Sequence, residues 1–572
     1  MNVLSMGLPF GAGQAPVQLF HSQRGHTVRT LAADGTGDFD FEAGETAADV
    51  VARVAQDWQP DVLLCWLPEM YPPPLCVEEC PIKTVAAVSD WNVYYAQLEH
   101  NLSRYDVVLT DRLGAESIRF PGAMPRYFQP MYSQNTLFHK KIPEVEKDLD
   151  VVFVGNLNPV VHHDRARCME RIAGLAGRYR ILFATNHWDE AYARLLNRAR
   201  IVFNHSIRRE MNLRCFETLA CGSLLFLEED NLEVGDWLRD RGEVVLYTAE
   251  NLVELVEHYL GQPDEAERIA QQGHEKAEAL AGENRLDALL DWLEEQPMGE
   301  RAFRELPEEE RALAEVMQYA SSLVAAQRAH AEAVLAEAAR HYPNKPEFRL
   351  AAGSVLLDKL VAGIDEDRAG MTRSMLEHFY RACSLAPEAG VTWLDLAFAC
   401  RLADAPDPEM RCLEKVLTTT SCACGGLLLG STSDPYYVAW RKAVAVGEAR
   451  QEILQAAAAR RLAELRLGRG ELDDAVAYAQ HSIDWLPGIP APHRTLAKAL
   501  VEQGDVSAAK EALEASLPLS AFDADHRKEV ISAYTACGMQ DEARGLAEES
   551  ARLFSVFEDK EDVADSFVRL TQ

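Results

Sequence analysis

The sequence predicts an α/β fold over its first half and an all-α fold over its second half. Short apolar runs alternate with segments of helical periodicity as far as about residue 292, a pattern typical of parallel strands joined by helices. From about residue 306 onward the strand pattern stops and alanine-rich helical segments dominate. Near the carboxyl end, Gly470, Gly504 and Gly538 recur every 34 residues, a period that indicates stacked helix pairs.

Length and composition limit the classes of protein to consider. A chain of 572 residues should contain about three domains, and contents of 48% hydrophobic and 26% charged residues are those of a globular protein. The formal net charge of −33 argues against a nucleic-acid partner, because phosphate backbones bind basic surfaces. We interpret the acidity as that of a bacterial cytoplasmic protein.

Targeting signals and metal-binding patterns are not evident in the sequence. The first residues lack a basic stretch and have too short an apolar run for a signal peptide, and no run approaches the roughly 20 apolar residues of a membrane span. The pairs Cys76 with Cys80 and Cys422 with Cys424 lack a second pair at zinc spacing. We therefore expect a cytoplasmic protein with reduced cysteines and no metal.

The first α/β unit begins like a Rossmann domain. Residues 3–6 form a predicted strand that leads into a glycine-containing loop with Gly11 and Gly13, and residues 26–31 form the second strand. The glycines do not follow the spacing of a dinucleotide-binding fingerprint, so bound NAD is not expected.

Two acidic residues follow later strands of this unit. Residues 61–66, 83–88 and 106–110 are predicted strands, Glu69 follows the first of them and Asp90 follows the second. Parallel strands present ligands at their carboxyl ends, so both side chains are expected to face a cleft. Asp90, ahead of Glu69, is the candidate to accept a proton from a hydroxyl group. An alternative of equal weight is that Asp90 caps a helix beginning near Asn92.

A second α/β unit begins after a polar, proline-containing crossing at residues 128–148. Residues 149–154 form its first strand, and Gly155 and Asn156 follow at a turn where backbone amides can approach a phosphate. Arg165, in the helix that opens at residues 162–167, is a further candidate for contact with a diphosphate.

The most informative segment of the sequence is a strand, loop, helix and strand at residues 199–227. The first strand ends at Asn204, and the helix begins at Asn212, whose side-chain oxygen can accept a backbone N–H. Gly222 ends the helix. Arg214 and Glu217 share one helix face, so the helix amino terminus with the arginine suits a diphosphate and the carboxylate suits a ribose. An ordinary strand–helix–strand crossover with an Arg/Glu pair is the alternative.

The helix residues resemble a known donor-site signature. Asn212, Arg214, Phe216, Glu217 and the Ala-Cys-Gly at 220–222 are similar to the spore-maturation-type, group-1-like glycosyltransferases, which have the two-domain GT-B fold. The resemblance implies two Rossmann-like domains facing a cleft and a UDP- or GDP-sugar as donor without a metal. It also implies that Glu217 binds the ribose and that Asn212 and Arg214 face the diphosphate.

The resemblance also implies that the loop of Gly155 and Asn156 lies against the donor. The other candidates follow from their positions in the predicted fold. Arg165 and Asn204 are expected to border the donor, Arg214 is expected to act with Asp90 in catalysis, and Glu69 and the loop of Gly11 and Gly13 are expected on the acceptor side. Many retaining GT-B enzymes have a second glutamate eight residues before the ribose glutamate, but Arg209 occupies that position and Glu210 follows it. The stereochemical outcome is therefore left open.

The helical half resembles the tetratricopeptide (TPR) family over residues 454–554, where Ala475, Ala509 and Ala543 share the 34-residue period of the glycines. The resemblance implies an α-solenoid whose groove binds an acceptor protein or polymer, with self-association into a homo-oligomer as the alternative.

These observations predict three domains and one principal function. Residues 1–130 are expected to form the acceptor-side domain, residues 131–300 the donor domain with a helix crossing back to the first, and residues 301–572 the TPR solenoid. We expect a glycosyltransferase that modifies a macromolecular acceptor, such as a protein in flagellin-type O-glycosylation. The alternative is a TPR scaffold with a vestigial nucleotide-sugar module, and a phosphorylase or epimerase of the same fold is a third possibility.

Overall fold

The computed structural model describes most of the chain. It covers residues 1–7, 24–120, 122–123, 125–128, 134–156, 158, 162–279, 282–295, 307–320, 322, 324–361, 363, 367–421, 436, 439, 443 and 451–570. The predicted loop with Gly11 and Gly13 and the pair Cys422 and Cys424 lie outside the described residues.

The first sheet contains seven parallel strands in the described part of the chain, in the order β3-β2-β1-β4-β5-β6-β7. The strands are β1 (Asn2–Met6), β2 (Thr27–Ala32), β3 (Phe39–Asp40), β4 (Val62–Trp66), β5 (Lys83–Ala87), β6 (Val107–Thr110) and β7 (Pro125–Tyr127). Every residue of β4 and β5 is buried, as expected for central strands covered on both faces. The predicted strands are present within one residue of their bounds, and the short edge strands β3 and β7 were not predicted.

The second sheet has five parallel strands among the described residues, in the order β12-β11-β10-β8-β9. They are β8 (Leu149–Val154), β9 (Ile181–Ala184), β10 (Ala199–Phe203), β11 (Leu224–Glu228) and β12 (Val245–Tyr247). The chain runs outward from β8 to β9 and then returns to β10 on the other side of β8. The strand order therefore reverses between β8 and β10, the position at which open parallel sheets bind ligands.

Some of the helices that accompany the two sheets begin at residues whose side chains cap the first turn. They are α1 (Ala47–Val54), α2 (Tyr95–Glu99), α3 (Arg112–Ser117), α4 (His163–Ala173), α5 (Asp189–Arg198), α6 (Leu213–Ala220), α7 (Leu252–Gly261), α8 (Pro263–Ala279) and α9 (Gly282–Glu295). Thr46 and Asp111, for example, accept the backbone N–H groups of Asp49 and Gly114 at the starts of α1 and α3.

Helix α9 returns from the second sheet to the first. Its buried Leu286, Leu290 and Leu293 belong to one hydrophobic cluster with Val3 and with residues of β4, β5 and β6. The ammonium group of Lys83, on β5, donates to the Leu293 carbonyl at 2.6 Å. Two segments of the chain, one before β8 and one at α9, therefore connect the two sheets.

The second half is an array of helices. They are α10 (Glu308–Ala320), α11 (Ala325–His341), α12 (Pro346–Val361), α13 (Arg368–Leu385), α14 (Gly390–Leu402), α15 (Pro406–Thr418), α16 (Gln451–Gly468), α17 (Leu472–Trp485), α18 (Pro490–Gln503), α19 (Val506–Ser516), α20 (Ala524–Ala536), α21 (Gln540–Phe554) and α22 (Glu561–Leu570). Gly470, Gly504 and Gly538 follow α16, α18 and α20 with φ angles of 73°, 87° and 75°. Each glycine supplies the left-handed residue that lets the chain turn into the next helix.

The two ends of the helical array pack on different sheets. At the start, Gln318 and Tyr319 of α10 donate to the Pro73 carbonyl, in the loop after β4, at 2.8 and 3.3 Å. At the end, the Phe183 N–H donates to the Val556 carbonyl at 2.8 Å, and the Glu558 N–H donates to the Phe183 carbonyl at 3.1 Å. Residues 556–558 thus pair with the edge strand β9, and the array spans from the first sheet to the second.

The contact at the end of the array is a shared hydrophobic core. One cluster of buried residues includes Phe153 and Phe183 of the second sheet together with Phe522, Phe554 and Phe557 of the array. This return of the carboxyl end to the second sheet was not predicted from the sequence. No helix in the described part of the chain combines the length and apolar character needed to cross a bilayer.

Candidate functional site

The carboxyl ends of the two sheets face each other, and Arg208 joins them. Arg208, in the loop after β10, donates from Nε to Asp111 at 2.8 Å and from Nη1 to Asp90 at 3.1 Å. Asp90 and Asp111 follow β5 and β6 of the first sheet. A second link is made by Glu233, which accepts the Arg112 N–H at 2.9 Å. Residues placed after the strands of either sheet therefore meet at one interface.

Two arginines of the second sheet converge at the point where its strand order reverses. The guanidinium carbons of Arg214 and Arg165 lie over the Phe153 ring at 4.4 and 5.5 Å from its centroid. Arg165 is 6% exposed and donates to the carbonyl groups of His205 at 2.8 Å and Asn156 at 3.3 Å. Among the described residues, neither arginine forms an ion pair with a carboxylate.

The pKa values reflect this concentration of positive charge. Burial and the nearby Arg214 lower the pKa of Arg165 to about 9. Burial and the charge of Arg165 lower the pKa of His205 to about 4. An anion bound here would relieve the repulsion between the two cations.

Gly155 is required by the approach of Arg214 to the end of β8. Its φ angle is 153°, and a Cβ atom at this position would overlap the Arg214 guanidinium. The Arg214 Nε donates to the Val154 carbonyl at 2.9 Å, so the arginine lies directly against the turn that follows β8. Asn156, the next residue, is exposed, and its side chain accepts the Asn158 N–H at 2.9 Å.

Asn204 positions Arg214 from within the core. Asn204 is fully buried, and its side-chain oxygen accepts Arg214 Nη1 at 2.6 Å and Asn212 Nδ2 at 3.3 Å. Asn212 is the N-cap residue of α6, as predicted, but its side-chain oxygen does not cap a backbone N–H of the helix. The capping prediction was wrong in this detail because the Asn212 amide turns toward Asn204, which leaves the first turn of α6 without a side-chain cap.

Glu217 lies one turn further along α6 and is held by two aromatic residues. It accepts the Tyr192 hydroxyl at 2.9 Å, and His139 Nε2 lies 3.8 Å from its other oxygen. The Glu217 side chain is 12% exposed. The structure thus places Gly155 and Asn204 in direct contact with Arg214, Arg165 over the same Phe153 ring as Arg214, and Glu217 on the same helix as Arg214.

Asp90 and Glu69 occupy one loop region of the first sheet and have different surroundings. Asp90 has a side chain 38% exposed and pairs with Arg208, whereas Glu69 is 2% exposed. One Glu69 oxygen accepts the backbone N–H groups of Ser89 and Asp90, both at 2.9 Å. Glu69 therefore fixes the loop that carries Asp90. The alternative that Asp90 caps a helix was wrong, because α2 begins only at Tyr95.

The comparison with known protein families matches the part of the chain that contains the candidate donor residues. Residues 146–291 match the family model described as glycosyl transferase-like. No curated protein sequence matches the chain. The matched residues are a glycosyl transferase-like domain that includes the second sheet and the candidate donor residues Gly155, Asn156, Arg165, Asn204, Asn212, Arg214 and Glu217, but neither Glu69 nor Asp90.

Several solved structures are similar in parts. A sucrose-phosphate synthase from Thermosynechococcus elongatus is 11% identical, with 51% of this chain and 98% of that chain covered and a TM-score of 0.38. A glycosyltransferase from Rickettsia africae ESF-5 is 10% identical, with 51% and 97% covered and a TM-score of 0.36. YrrB, a TPR protein with an unusual peptide-binding site, is 11% identical, with 41% and 97% covered and a TM-score of 0.26. All three TM-scores are below 0.5, and no conclusion rests on these likenesses.

The glycosyl transferase-like domain also contains a group of buried carboxylates that sequence reasoning missed. Burial raises the pKa of Glu228 and of Glu233 to about 7, and burial raises the pKa of Glu210 as well. Glu210 lies 3.5 Å from Arg208 Nη2, and Glu228 accepts the Asn231 side chain at 2.9 Å. These carboxylates brace the loop that carries Arg208, at the interface with the first sheet.

Arg208 is the most important residue that the sequence did not single out. The polar triplet Arg208-Arg209-Glu210 between a buried strand and a helix is a signal that could have drawn attention to it. Its partners Asp90 and Asp111 lie about a hundred residues earlier, so their pairing could not be inferred from local spacing. As for metals, no group of three or more His, Cys, Asp or Glu in the described residues could hold an ion.

Proposed function

We propose that this chain is a GT-B glycosyltransferase that transfers a sugar from a nucleotide-diphosphate sugar to an acceptor hydroxyl. The observation that carries the proposal is the convergence of Arg165 and Arg214, two cations without a carboxylate partner among the described residues, beside the glycine turn after β8. Burying two like charges without counter-ions is unfavourable unless the site receives an anion. A diphosphate supplies that anion, and the uncapped first turn of α6 adds backbone donors.

The same two arginines would assist the chemical step. Negative charge grows on the diphosphate oxygen as its bond to the sugar breaks, and Arg214 and Arg165 are already oriented by Asn204, Val154 and His205. Donors fixed before the reaction stabilise this charge without having to reorganise. Because side chains supply the positive charge, we propose a transfer that needs no metal, and activity should persist in EDTA.

Glu217 is proposed to bind the ribose hydroxyls. In the structure one Glu217 oxygen accepts the Tyr192 hydroxyl and the other lies near His139. A bound ribose would either replace these contacts or form further hydrogen bonds to the same oxygens. The position of Glu217 one helical turn after Arg214 matches the separation of a ribose from its diphosphate.

Asp90 is proposed to accept the proton of the acceptor hydroxyl. It is the partly exposed carboxylate at the end of β5, opposite the donor residues, and Glu69 holds its backbone. Arg208 must release Asp90 for this role, because its guanidinium occupies a carboxylate oxygen that would accept the proton.

The helical array is proposed to be a TPR solenoid that recruits a protein acceptor. Its glycine-ended helix pairs fit the 34-residue repeat, and its two ends pack on the two sheets that border the cleft. A polypeptide held in the array would therefore remain close to the interface between the sheets.

The donor proposal can be tested by ligand-induced stabilisation. A panel of UDP-, GDP-, dTDP- and ADP-sugars should contain one donor that raises the melting temperature, since ligand at 100 times its Kd adds about 2.7 kcal/mol. Arg214→Ala should weaken binding of that donor about 10- to 100-fold, the loss expected for hydrogen bonds to a charged group. Arg200→Ala is the matched control, because Arg200 lies at the other end of β10, paired with Asp150. No stabilisation by any donor, or equal effects of both variants, would contradict the proposal.

A second candidate function is an interaction scaffold with a vestigial nucleotide-sugar module. The specific observation in its favour is the ion pair between Arg208 and Asp90, which occupies the proposed base. A donor that stabilises the protein but is neither transferred to an acceptor nor hydrolysed would favour the scaffold. Transfer that is lost in Asp90→Asn with donor binding retained would favour the enzyme.

A further inference from the structure

A small pocket with a cavity volume of about 30 Å³ lies among the helices of the array, far along the chain from the donor residues. Three helices line it: α14, α15 and α16. Its wall is apolar where Leu394, Phe398 and Leu413 contribute, and it is basic where Arg401, Arg460 and Arg461 contribute. Such a convergence of arginines is notable in a chain with a net charge of −33.

Two of the three arginines are neutralised within the array. Arg461 forms two hydrogen bonds to Glu409, at 2.7 and 3.2 Å. Both Arg460 and Arg461 pair with Glu464, at 2.8 and 2.9 Å. Two glutamates thus balance two arginines, and this part of the pocket carries no net charge.

The third arginine, Arg401, is different. Its guanidinium carbon lies 4.6 Å from the centre of the Phe398 ring, and it forms no ion pair or hydrogen bond with any described residue. Burial and the charges of Arg461 and Arg460 lower the pKa of Arg401. Among the described residues, the pocket lining and Glu464 together contain one more arginine than carboxylates, and that arginine is held on an aromatic surface.

We propose that this pocket binds the carboxylate of an acidic side chain in a polypeptide. A planar guanidinium binds a carboxylate through two parallel hydrogen bonds, and no described residue accepts a hydrogen bond from Arg401, which lies over the Phe398 ring. The apolar wall can pack against the hydrocarbon part of the acidic side chain and against its neighbours. A free inorganic anion would leave this wall exposed to water. The site is independent of the proposed glycosyl transfer, because it shares no residue with the donor site.

The test uses the full-length chain and a fluorescein-labelled octapeptide of alternating Glu and Phe, with the Gln/Phe octapeptide as the neutral counterpart. Fluorescence anisotropy should show binding of the Glu peptide that weakens as salt is added, and at least 10-fold weaker binding of the Gln peptide. Arg401→Gln should reduce affinity for the Glu peptide about 10- to 100-fold. Arg401→Lys, which keeps the charge but not the planar fork, should give an intermediate loss.

The matched control is Arg411→Gln. Arg411 lies exposed on α15, outside the pocket lining, so this variant changes the net charge equally and should alter affinity less than twofold. Equal losses in Arg401→Gln and Arg411→Gln, or equal binding of the two peptides, would overturn the proposal. Displacement of the peptide by inorganic phosphate but not by acetate would also overturn it, because it would identify a phosphate site. Should Arg401→Gln fail to fold, Arg401→Lys decides the outcome by the same comparison.

Discussion

Replacing Phe557 by alanine is expected to loosen the edge of the second sheet, which is built from residues 149–247. Phe557 is 2% exposed, and its ring centroid lies 4.8 Å from that of Phe522, 5.5 Å from that of Phe183 and 5.9 Å from that of Phe554. Truncation of a buried phenylalanine to alanine costs about 3–5 kcal/mol, through lost burial and the cavity that remains. Because the ring contacts both the second sheet and the helical array, the substitution should destabilise both.

Hydrogen exchange measured by mass spectrometry can locate this loss. The Phe183 N–H is protected by the Val556 carbonyl, so its exchange should accelerate by about two to three and a half orders of magnitude if opening becomes easier by 3–5 kcal/mol. Peptides from β4 in the first sheet should not change. Leu570→Ala is the matched control, because Leu570 belongs to the last helix but is 49% exposed. If exchange accelerates only within residues 540–570 while β9 stays protected, the array is not part of the core of the second sheet.

Three further predictions concern the site and its interface. Gly155→Ala should abolish donor-induced stabilisation, because the added Cβ overlaps the Arg214 guanidinium. Gly177 also has a positive φ angle, 91°, but open space around it, so Gly177→Ala should strain the backbone and still keep donor binding. Arg208→Ala should lower the free energy of unfolding by about 3–5 kcal/mol, since it leaves buried carboxylates without their cation, whereas Arg239→Ala, at a side chain 80% exposed, should change it little. Glu69→Gln should alter the pH dependence of stability, because burial raises the pKa of Glu69 from its ordinary value to about 7. The stability that protonated Glu69 contributes to the parent protein is present below about pH 4.5 and is lost as the pH rises through 7. The free energy of unfolding of the parent should therefore fall relative to that of Glu69→Gln between pH 5 and pH 7, by up to about 1.4 kcal/mol per pH unit, and a constant difference would contradict this assignment.

The positions of the central strands could be predicted from the sequence because each of them is an apolar run. β8 and β10 were predicted at their observed bounds, and both are covered on two faces. The edge strands β3 and β7 contain only two and three residues, too few to show any periodicity. They form because a neighbouring strand is already in place.

The donor side of the site was predictable for a similar reason. Gly155 and Asn204 directly follow two neighbouring parallel strands, and Arg214 lies in the first turn of the helix after the second strand, so chain order brings the three close. The roles of these residues stay predictions until donor binding is measured. The Arg208 bridge could not be predicted, because its geometry depends on how two separately folded sheets approach each other.

The return of the array to the second sheet depends on a property that no single repeat contains. Each helix pair adds a small rotation, and only the accumulated curvature decides where the last pair ends. The sequence nevertheless carries a local signal: Phe554, Phe557 and Phe567 cluster in the final turns, where an array exposed to solvent would end in a polar capping helix. All three are buried, at 1%, 2% and 0% exposure, against one another and against the edge of the second sheet. An aromatic cluster at the end of a helical repeat array therefore indicates that the array ends on another part of the protein, and here that part is the strand beside the donor turn.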